Sequence, residues 1–291
     1  MLDLGDRVKL ALANLGNEPW LPGLSEELVK VGWQNLYYDM GLLPINYGTA
    51  RVMVRDANVQ RRILARLFIA SSGENPCHGL QIETLEGHFA SNFEKAGIRF
   101  YTTEEISDSN ILEQLEEAIN ILKFLPSLFA TVGRLVKSVH LIDPRDDDYD
   151  VSFSEPHIPF TIFVSVPRQR DPTVALRVAE AVVHEAMHLQ LTLIELVVPL
   201  VNEVEVEYFS PWRGEYRTVQ GVLHALYVFR VIDRFLFDLS ESSNSGTKAS
   251  NYARTRRSHI RTQIDQIESF RECNGLTDIG IKFARRLING Y

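Results

Sequence analysis

The stretch that decides the fold of this chain runs from Asp171 to Leu196, and at its middle it reads His184-Glu185-Ala186-Met187-His188. Asp171 followed by Pro172 is typical of a helix start, because an aspartate caps free N–H groups and proline fits the first helical position. The residues that follow are largely apolar, and the next proline is Pro199. We therefore expect one long, mostly buried helix in this region.

His184 and His188 are four residues apart within this expected helix. At about 100° per residue, such side chains lie about 40° apart and one turn along the axis, so two imidazoles can bind one metal ion. Glu180 and Glu195 fall on the same side and are either orienting partners of a histidine or ordinary solvated carboxylates. The alternative to a metal site is a core helix whose histidines pair with carboxylates.

A metal ion at this motif needs a third ligand from another part of the chain. The extended HExxHxxGxxH form is absent, because Leu191 and Ile194 stand where its glycine and third histidine would be. One candidate is His224. The others are three alternating glutamates of an expected strand, which most simply face water: Glu203, Glu205 and Glu207.

Ser210-Pro211 predicts the start of a second long helix that reaches about Phe237. On such a helix four polar side chains would form one stripe within about 60° of arc: Arg213, Arg217, Gln220 and His224. Neighbouring arginines repel each other unless an anion lies between them, and a guanidinium suits a carboxylate. A dicarboxylate bound to the metal could span the roughly 10.5 Å between His224 and Arg217. The alternative to a bound dicarboxylate is that the arginines pair with the strand glutamates. The alternative to metal binding by His224 is that this histidine is buried and hydrogen-bonded in the core.

At these residues the chain resembles the HExxH-type, iron(II)- and 2-oxoglutarate-dependent peptide β-hydroxylases that modify ribosomally made peptides (RiPP biosynthesis). The matching blocks are Val182–His188, Ser210–Arg217 and Gly221–Ala225. The resemblance covers roughly residues 138 to 237.

The resemblance implies an Fe(II) ion held by His184, His188 and His224, with Arg213 or Arg217 binding the distal carboxylate of 2-oxoglutarate. Dioxygen-dependent decarboxylation of this cosubstrate would lead to insertion of one oxygen atom at the β-carbon of a peptide residue. The more familiar ligand set is two histidines and one carboxylate, so Glu215 or a strand glutamate is an alternative to His224. In this non-haem iron dioxygenase, Glu185 would orient a ligand or complete the coordination shell of the metal, and it would not need to act as a catalytic base.

Two other functions fit the same motif. In a zinc metallopeptidase, Glu185 would be the catalytic base that deprotonates a metal-bound water, but the arginines would have no special task. A non-enzymatic peptide-binding module is the third possibility. The intact His and Glu residues favour an enzyme over such a module.

The composition limits partners and location. The chain of 291 residues has 38 Asp plus Glu against 30 Lys plus Arg, a formal charge of -8, which disfavours nucleic acid and anionic membranes as partners. Its two cysteines, Cys77 and Cys273, form no disulfide framework or zinc motif, which fits a cytoplasmic protein. The N-terminus has no signal-peptide pattern, and no stretch predicts a membrane span.

The expected fold class is α+β, predominantly helical, with a small sheet next to two long metal-bearing helices, one of them a zincin-like HExxH helix. Residues 1–130 are expected to form a helical region for peptide or partner recognition, and residues 131–291 the catalytic domain. The N-terminal helices are predicted at Asp3–Asn14, Leu24–Tyr38, Asn58–Ala70, Glu104–Phe124 and Pro126–Lys137, with a loop at Ser71–Pro76. Later elements are strands at Val139–Ile142, Ile158–Val166 and Glu203–Tyr208, a linker at Ser240–Ser250 and two polar C-terminal helices.

Overall fold

A computed structural model describes residues 2–14, 16, 18–39, 60–67, 80–86, 88–107, 110–146, 150–154, 160–241 and 247–290. It is about 61% helical and has a mixed α+β architecture, as the sequence predicts. The chain divides into two compact units, the first made of Met1–Val31 and Met187–Tyr291 and the second of Gly32–Ala186. The boundary predicted between residues 130 and 131 lies within the second unit.

The helices and strands follow each other along the chain as a helical start, a mixed middle and a helical end. In order they are α1 (Leu4–Ala13), α2 (Ser25–Asp39), β1 (Gln60–Leu67), β2 (Leu80–Glu86), α3 (His88–Lys95), β3 (Arg99–Phe100), α4 (Thr103–Ser107), α5 (Ile111–Lys123), α6 (Pro126–Leu135), β4 (Ser138–Asp143), β5 (Ser152–Ser154), β6 (Thr161–Ser165), α7 (Pro172–Glu195), β7 (Glu207–Ser210), β8 (Glu215–Thr218), α8 (Val219–Glu241), α9 (Thr247–Asp265), a 3-10 helix (Glu268–Glu272) and α10 (Asp278–Asn289). None of the helices in these described ranges has the length and apolar character needed to cross a membrane.

The second unit is built on a six-stranded sheet with the order β1-β2-β4-β6-β5, and β3 pairs with β4. Strand β4 runs parallel to both β2 and β6, and the other pairs are antiparallel. The central strands β4 and β6 are buried, which explains why both read as short apolar runs. The strands predicted at Val139–Ile142 and Ile158–Val166 correspond to β4 and β6, although residues 155–159 lie outside the described ranges.

The helix predicted at Asn58–Ala70 is wrong, because Gln60–Leu67 is the edge strand β1. Its backbone pairs antiparallel with β2, a partner that the local sequence does not reveal. Over so few residues the spacing of the apolar side chains fits a helix as well as a strand. The first 130 residues are therefore not a wholly helical region. The predicted Glu104–Phe124 helix is split into α4 and α5, and the predicted loop at Ser71–Pro76 lies outside the described residues.

The long helix predicted after Asp171 is confirmed as α7. The Asp171 carboxylate accepts a hydrogen bond from the backbone N–H of Thr173 at 2.8 Å, which caps the helix start as expected. The two polar C-terminal helices are also confirmed, as α9 and α10. Of the predicted linker, residues 242–246 are outside the described ranges, and the residues on both sides of them are helical.

The second long helix does not begin at Ser210-Pro211, and this prediction is wrong. Ser210 ends strand β7, and its carbonyl accepts a hydrogen bond at 2.8 Å from Gly214, whose φ of 68° favours glycine. This turn leads into β8, which pairs antiparallel with β7. Helix α8 starts only at Val219, because the Thr218 hydroxyl caps it by accepting a hydrogen bond from the Gly221 N–H at 3.2 Å.

The predicted strand Glu203–Tyr208 overlaps β7 only at its last two residues. Strand β7 has β8 as its partner, whereas residues 203–206 have no strand partner in the described part of the chain. An alternating pattern predicts which face a strand would expose, but a strand also needs a neighbour for its backbone hydrogen bonds.

A buried polar network joins the N-terminal segment of the first unit to α7 and α8. The Gln190 side-chain amide donates to the Trp20 carbonyl at 2.8 Å and to the Ser25 hydroxyl at 3.1 Å. The Tyr227 hydroxyl donates to the side-chain carbonyl oxygen of Gln190, and its oxygen lies 3.2 Å from the Pro19 carbonyl oxygen. Because these polar atoms satisfy one another away from water, the network fixes the two helices against this segment.

Candidate functional site

Glu185 is buried on α7 and anchored to the sheet of the second unit. Its Oε1 atom accepts a hydrogen bond from the hydroxyl of Ser152 on β5 at 2.7 Å. The same oxygen lies 3.9 Å from Nε2 of His184. The glutamate of the HExxH motif is therefore held by a strand residue, a contact for which the sequence gives no local signal.

His188 and His224 face each other in the first unit. Their Nδ1 atoms are 3.2 Å apart, and the rings stack with a centroid distance of 5.5 Å and an interplanar angle of 16°. His188 lies on α7 and His224 in the second turn of α8, so helix packing brings together two of the three predicted metal ligands. Both side chains are partly buried.

Glu195 and Gln220 extend this pair into a hydrogen-bonded chain. One carboxylate oxygen of Glu195 lies 3.0 Å from Nε2 of His224 and accepts a hydrogen bond from the Gln220 amide at 2.8 Å. A carboxylate acceptor keeps the proton on Nε2, so Nδ1 of a neutral His224 presents its lone pair toward His188. The sequence leaves open whether Glu195 orients a histidine or is an ordinary solvated carboxylate, and in the structure it contacts the histidine of α8.

The separation of the two Nδ1 atoms fits a shared metal ion as well as a shared proton. Two nitrogen ligands about 2.1 Å from one ion lie roughly 3.0–3.4 Å apart at the usual coordination angles. The observed 3.2 Å falls in this range. A histidine that binds a metal through one ring nitrogen commonly donates a hydrogen bond to a carboxylate through the other. However, no three His, Cys, Asp or Glu side chains of the described residues are grouped closely enough to hold a metal. The structure thus brings together His188 and His224, and it does not assemble the full set with His184.

The predicted stripe of Arg213, Arg217, Gln220 and His224 on one helix is wrong, since the helix begins after Arg217. Arg213 lies in the exposed turn between β7 and β8. Arg217 lies on β8, and the Nη1 atom of its guanidinium is 3.9 Å from Oε1 of Glu215. Its Nε atom would be 3.6 Å from a Cβ atom at Gly221, so Arg217 lies against the first turn of α8. Of the two arginines, Arg217 is the one that reaches the helix bearing His224.

The glutamates considered as alternative ligands are on the surface. The exposed residues of this group are Glu203, Glu205, Glu207 and Glu215. Glu180 is buried on α7. The residue that sequence reasoning missed altogether is Ser152, because a contact between residues 33 positions apart leaves no trace in either local pattern.

The chain matches no model of a known protein family, and no curated protein matches it. Two imidazoles with facing nitrogens, one of them backed by a carboxylate, can hold a divalent transition metal or share a proton.

Proposed function

We propose that this chain is an iron(II)- and 2-oxoglutarate-dependent oxygenase that hydroxylates the β-carbon of a residue in a ribosomally made peptide. The observation that carries the proposal is the 3.2 Å contact between the Nδ1 atoms of His188 and His224, with Glu195 behind His224. Imidazole nitrogen is a ligand that suits iron. The resemblance of the motif and hairpin blocks to peptide β-hydroxylases supports the choice of reaction.

In this proposal His188 and His224 provide two ligands, and His184 provides the third. His184 precedes His188 by one turn of the continuous helix α7, the spacing at which two imidazoles can approach one ion. Bound Fe(II) would supply the dioxygen chemistry, with 2-oxoglutarate as the source of electrons. Glu195 holds the His224 ring in the tautomer and orientation that ligation requires.

Arg217 is the residue that we assign to the distal carboxylate of 2-oxoglutarate. Its side chain lies against Gly221, which is one turn before His224 on α8. A guanidinium there can bind a carboxylate by two parallel hydrogen bonds. Arg213 remains the alternative, but its position in the exposed turn gives it less support.

A zinc metallopeptidase is the second candidate, because zinc also accepts imidazole ligands. That function would need Glu185 as the base for a metal-bound water. Glu185 is buried and engaged by the Ser152 hydroxyl, which supports a positioning role for this carboxylate. The hydrogen bond therefore favours the oxygenase over the peptidase.

The proposal is tested by anaerobic purification, measurement of bound metal and addition of Fe(II), 2-oxoglutarate and oxygen. We expect succinate to form slowly without peptide and faster with a suitable peptide, whose product is heavier by one oxygen atom. Glu185→Gln should leave part of this activity. His188→Ala and His224→Ala should abolish succinate formation, whereas His259→Ala, on the exposed face of α9, should not. A shortened peptide produced with zinc alone, and lost in Glu185→Gln, would establish the peptidase instead.

The expected partner is a peptide, and the expected location is the cytoplasm. Cys273 is a free, buried thiol, which a reducing compartment would preserve.

A further inference from the structure

The hairpin formed by β7 and β8 exposes an aromatic pair on one face. Phe209 and Tyr216 are cross-strand partners whose rings meet edge to face at 5.9 Å. Their side chains remain 36% and 68% exposed, although burial of aromatic rings is favourable. This face of the hairpin therefore offers a contact surface for another chain.

The opposite face of the hairpin is fixed to the first unit. The Tyr208 ring packs edge to face on Phe270 at 5.1 Å, and its hydroxyl hydrogen-bonds to Ser269. Both strands also contact helix α8. Because one face is anchored, the aromatic face and the strand edges have a defined position for binding.

Each strand of the hairpin has only the other as a strand partner in the described part of the chain. Strand β8 is the more exposed of the two. The outer edge of a strand presents N–H and C=O groups that pair readily with an added extended segment. The edge of β8 therefore suits a peptide in extended conformation.

The charge on and before the hairpin indicates which peptide it would accept. Residues 203–218 carry four exposed glutamates, two before the hairpin and two on its strands, against the two arginines Arg213 and Arg217: Glu203, Glu205, Glu207 and Glu215. The balance is acidic, so basic residues in the bound segment would be complementary.

The hairpin also leads directly to the histidine pair. Strand β8 ends at Thr218, and His224 follows six residues later on α8, about 9 Å along the helix axis. A segment bound along β8 would therefore lie beside the strand that leads into the helix bearing His224.

We propose that the β7–β8 hairpin is the docking site for an extended, basic segment of the peptide substrate, which adds a strand to β8 and packs apolar side chains on Phe209 and Tyr216. This inference rests on the proposed function for its identification of the occupant as substrate. The docking itself requires neither metal nor 2-oxoglutarate.

Docking is tested by fluorescence anisotropy with metal-free protein and a fluorescein-labelled octapeptide of alternating lysine and valine. We expect Tyr216→Ala to weaken binding by about tenfold. The matched control is Phe124→Ala, which removes an exposed ring outside the hairpin, and it should bind like the unmodified protein. Glu207→Gln combined with Glu215→Gln should weaken binding without removing a ring, and circular dichroism checks that each variant is folded.

The peptide provides its own controls. A version N-methylated at alternate backbone amides keeps the charges but cannot pair with a strand edge, and we expect it to lose most of the affinity. A glutamate-for-lysine version should not bind. Equal binding of the methylated peptide, or unchanged binding by Tyr216→Ala, would overturn the proposal.

A second copy of this chain is the competing occupant of the aromatic face. Sedimentation at increasing concentration distinguishes it, because self-association that is lost in Tyr216→Ala would show that the face binds another copy and would overturn peptide docking. Succinate formation is measured separately. Peptide docking without succinate formation would refute the oxygenase and leave the docking site supported. Succinate formation without docking would refute the docking site and leave the oxygenase supported.

Discussion

The Nε2 atom of His224 lies 3.0 Å from a carboxylate oxygen of Glu195, although the two residues are 29 positions apart and lie on different helices. The other nitrogen of the same imidazole faces His188. The His224 ring thus contacts Glu195 through one nitrogen and His188 through the other. In the proposed iron site, this geometry supports His224 as the ligand beside His188.

Replacement of Glu195 by glutamine should weaken metal binding. The neutral amide cannot stabilise the oriented imidazole as a carboxylate does, so we expect metal affinity to fall by about 10- to 100-fold. The measurement is an anaerobic titration with Fe(II) or Co(II). Glu203→Gln, an exposed carboxylate on the same unit, is the control and should bind metal normally. Unchanged affinity in Glu195→Gln would show that this carboxylate does not support a ligand.

Removal of Arg217 should reduce affinity for 2-oxoglutarate more than removal of Arg213. A charge-assisted pair with a carboxylate is worth roughly 1.5–3 kcal/mol, so Arg217→Ala should raise the dissociation constant at least about tenfold. Arg213→Ala should change it by about twofold or less. Calorimetric titration of the Fe(II)-loaded protein without oxygen measures both. If both arginines can be removed without effect, neither binds the cosubstrate.

The second unit should lose stability in acid because of Glu105. Hydrogen bonds from Arg99 hold the pKa of Glu105 at about 2, below its ordinary value of 4.5, with further donors from the Thr102 N–H and Arg168. A lowered folded-state pKa means that the stabilisation is fully present above pH 4.5 and disappears as the pH falls toward 2.

Urea unfolding at several pH values checks this expectation. Glu105→Gln should be less stable than the unmodified protein at neutral pH, and the difference should shrink below pH 4.5 and be lost near pH 2. Glu104→Gln, its exposed neighbour, should show no such dependence. A stability difference in Glu105→Gln that does not vary with pH would contradict the assignment to this carboxylate.

Gly280→Ala should destabilise the docking of α10 within the first unit. A Cβ atom there would lie 2.1 Å from the Leu200 carbonyl oxygen, so backbone would have to move. We expect a loss of about 1–3 kcal/mol or more in unfolding free energy, the range for overpacked sites. Gly23→Ala is the matched control, because its added methyl meets no atom within 4 Å. Equal thermal stability of the two variants would show that α10 is not closely packed at this point.

Some of the fold could be predicted because its signals are local. Asp171 and Pro172 set the start of α7 through capping and a fixed φ, and the buried strands β4 and β6 read as short apolar runs. The local pattern of Gln60–Leu67 predicts a helix because the partner strand of this segment lies elsewhere in the sequence. Ser210-Pro211 likewise predicts a helix start where the structure has a turn, because proline fits both conformations.

By itself, the sequence determined that His184, Glu185 and His188 lie in the middle of one long helix, because capping and apolar content act over a few residues. It did not determine that His224 would meet His188, that Glu195 would support His224 or that Ser152 would hold Glu185. Only the tertiary structure decided these contacts. Side chains 29 to 36 positions apart become neighbours through the packing of helices and strands, which local propensity does not specify.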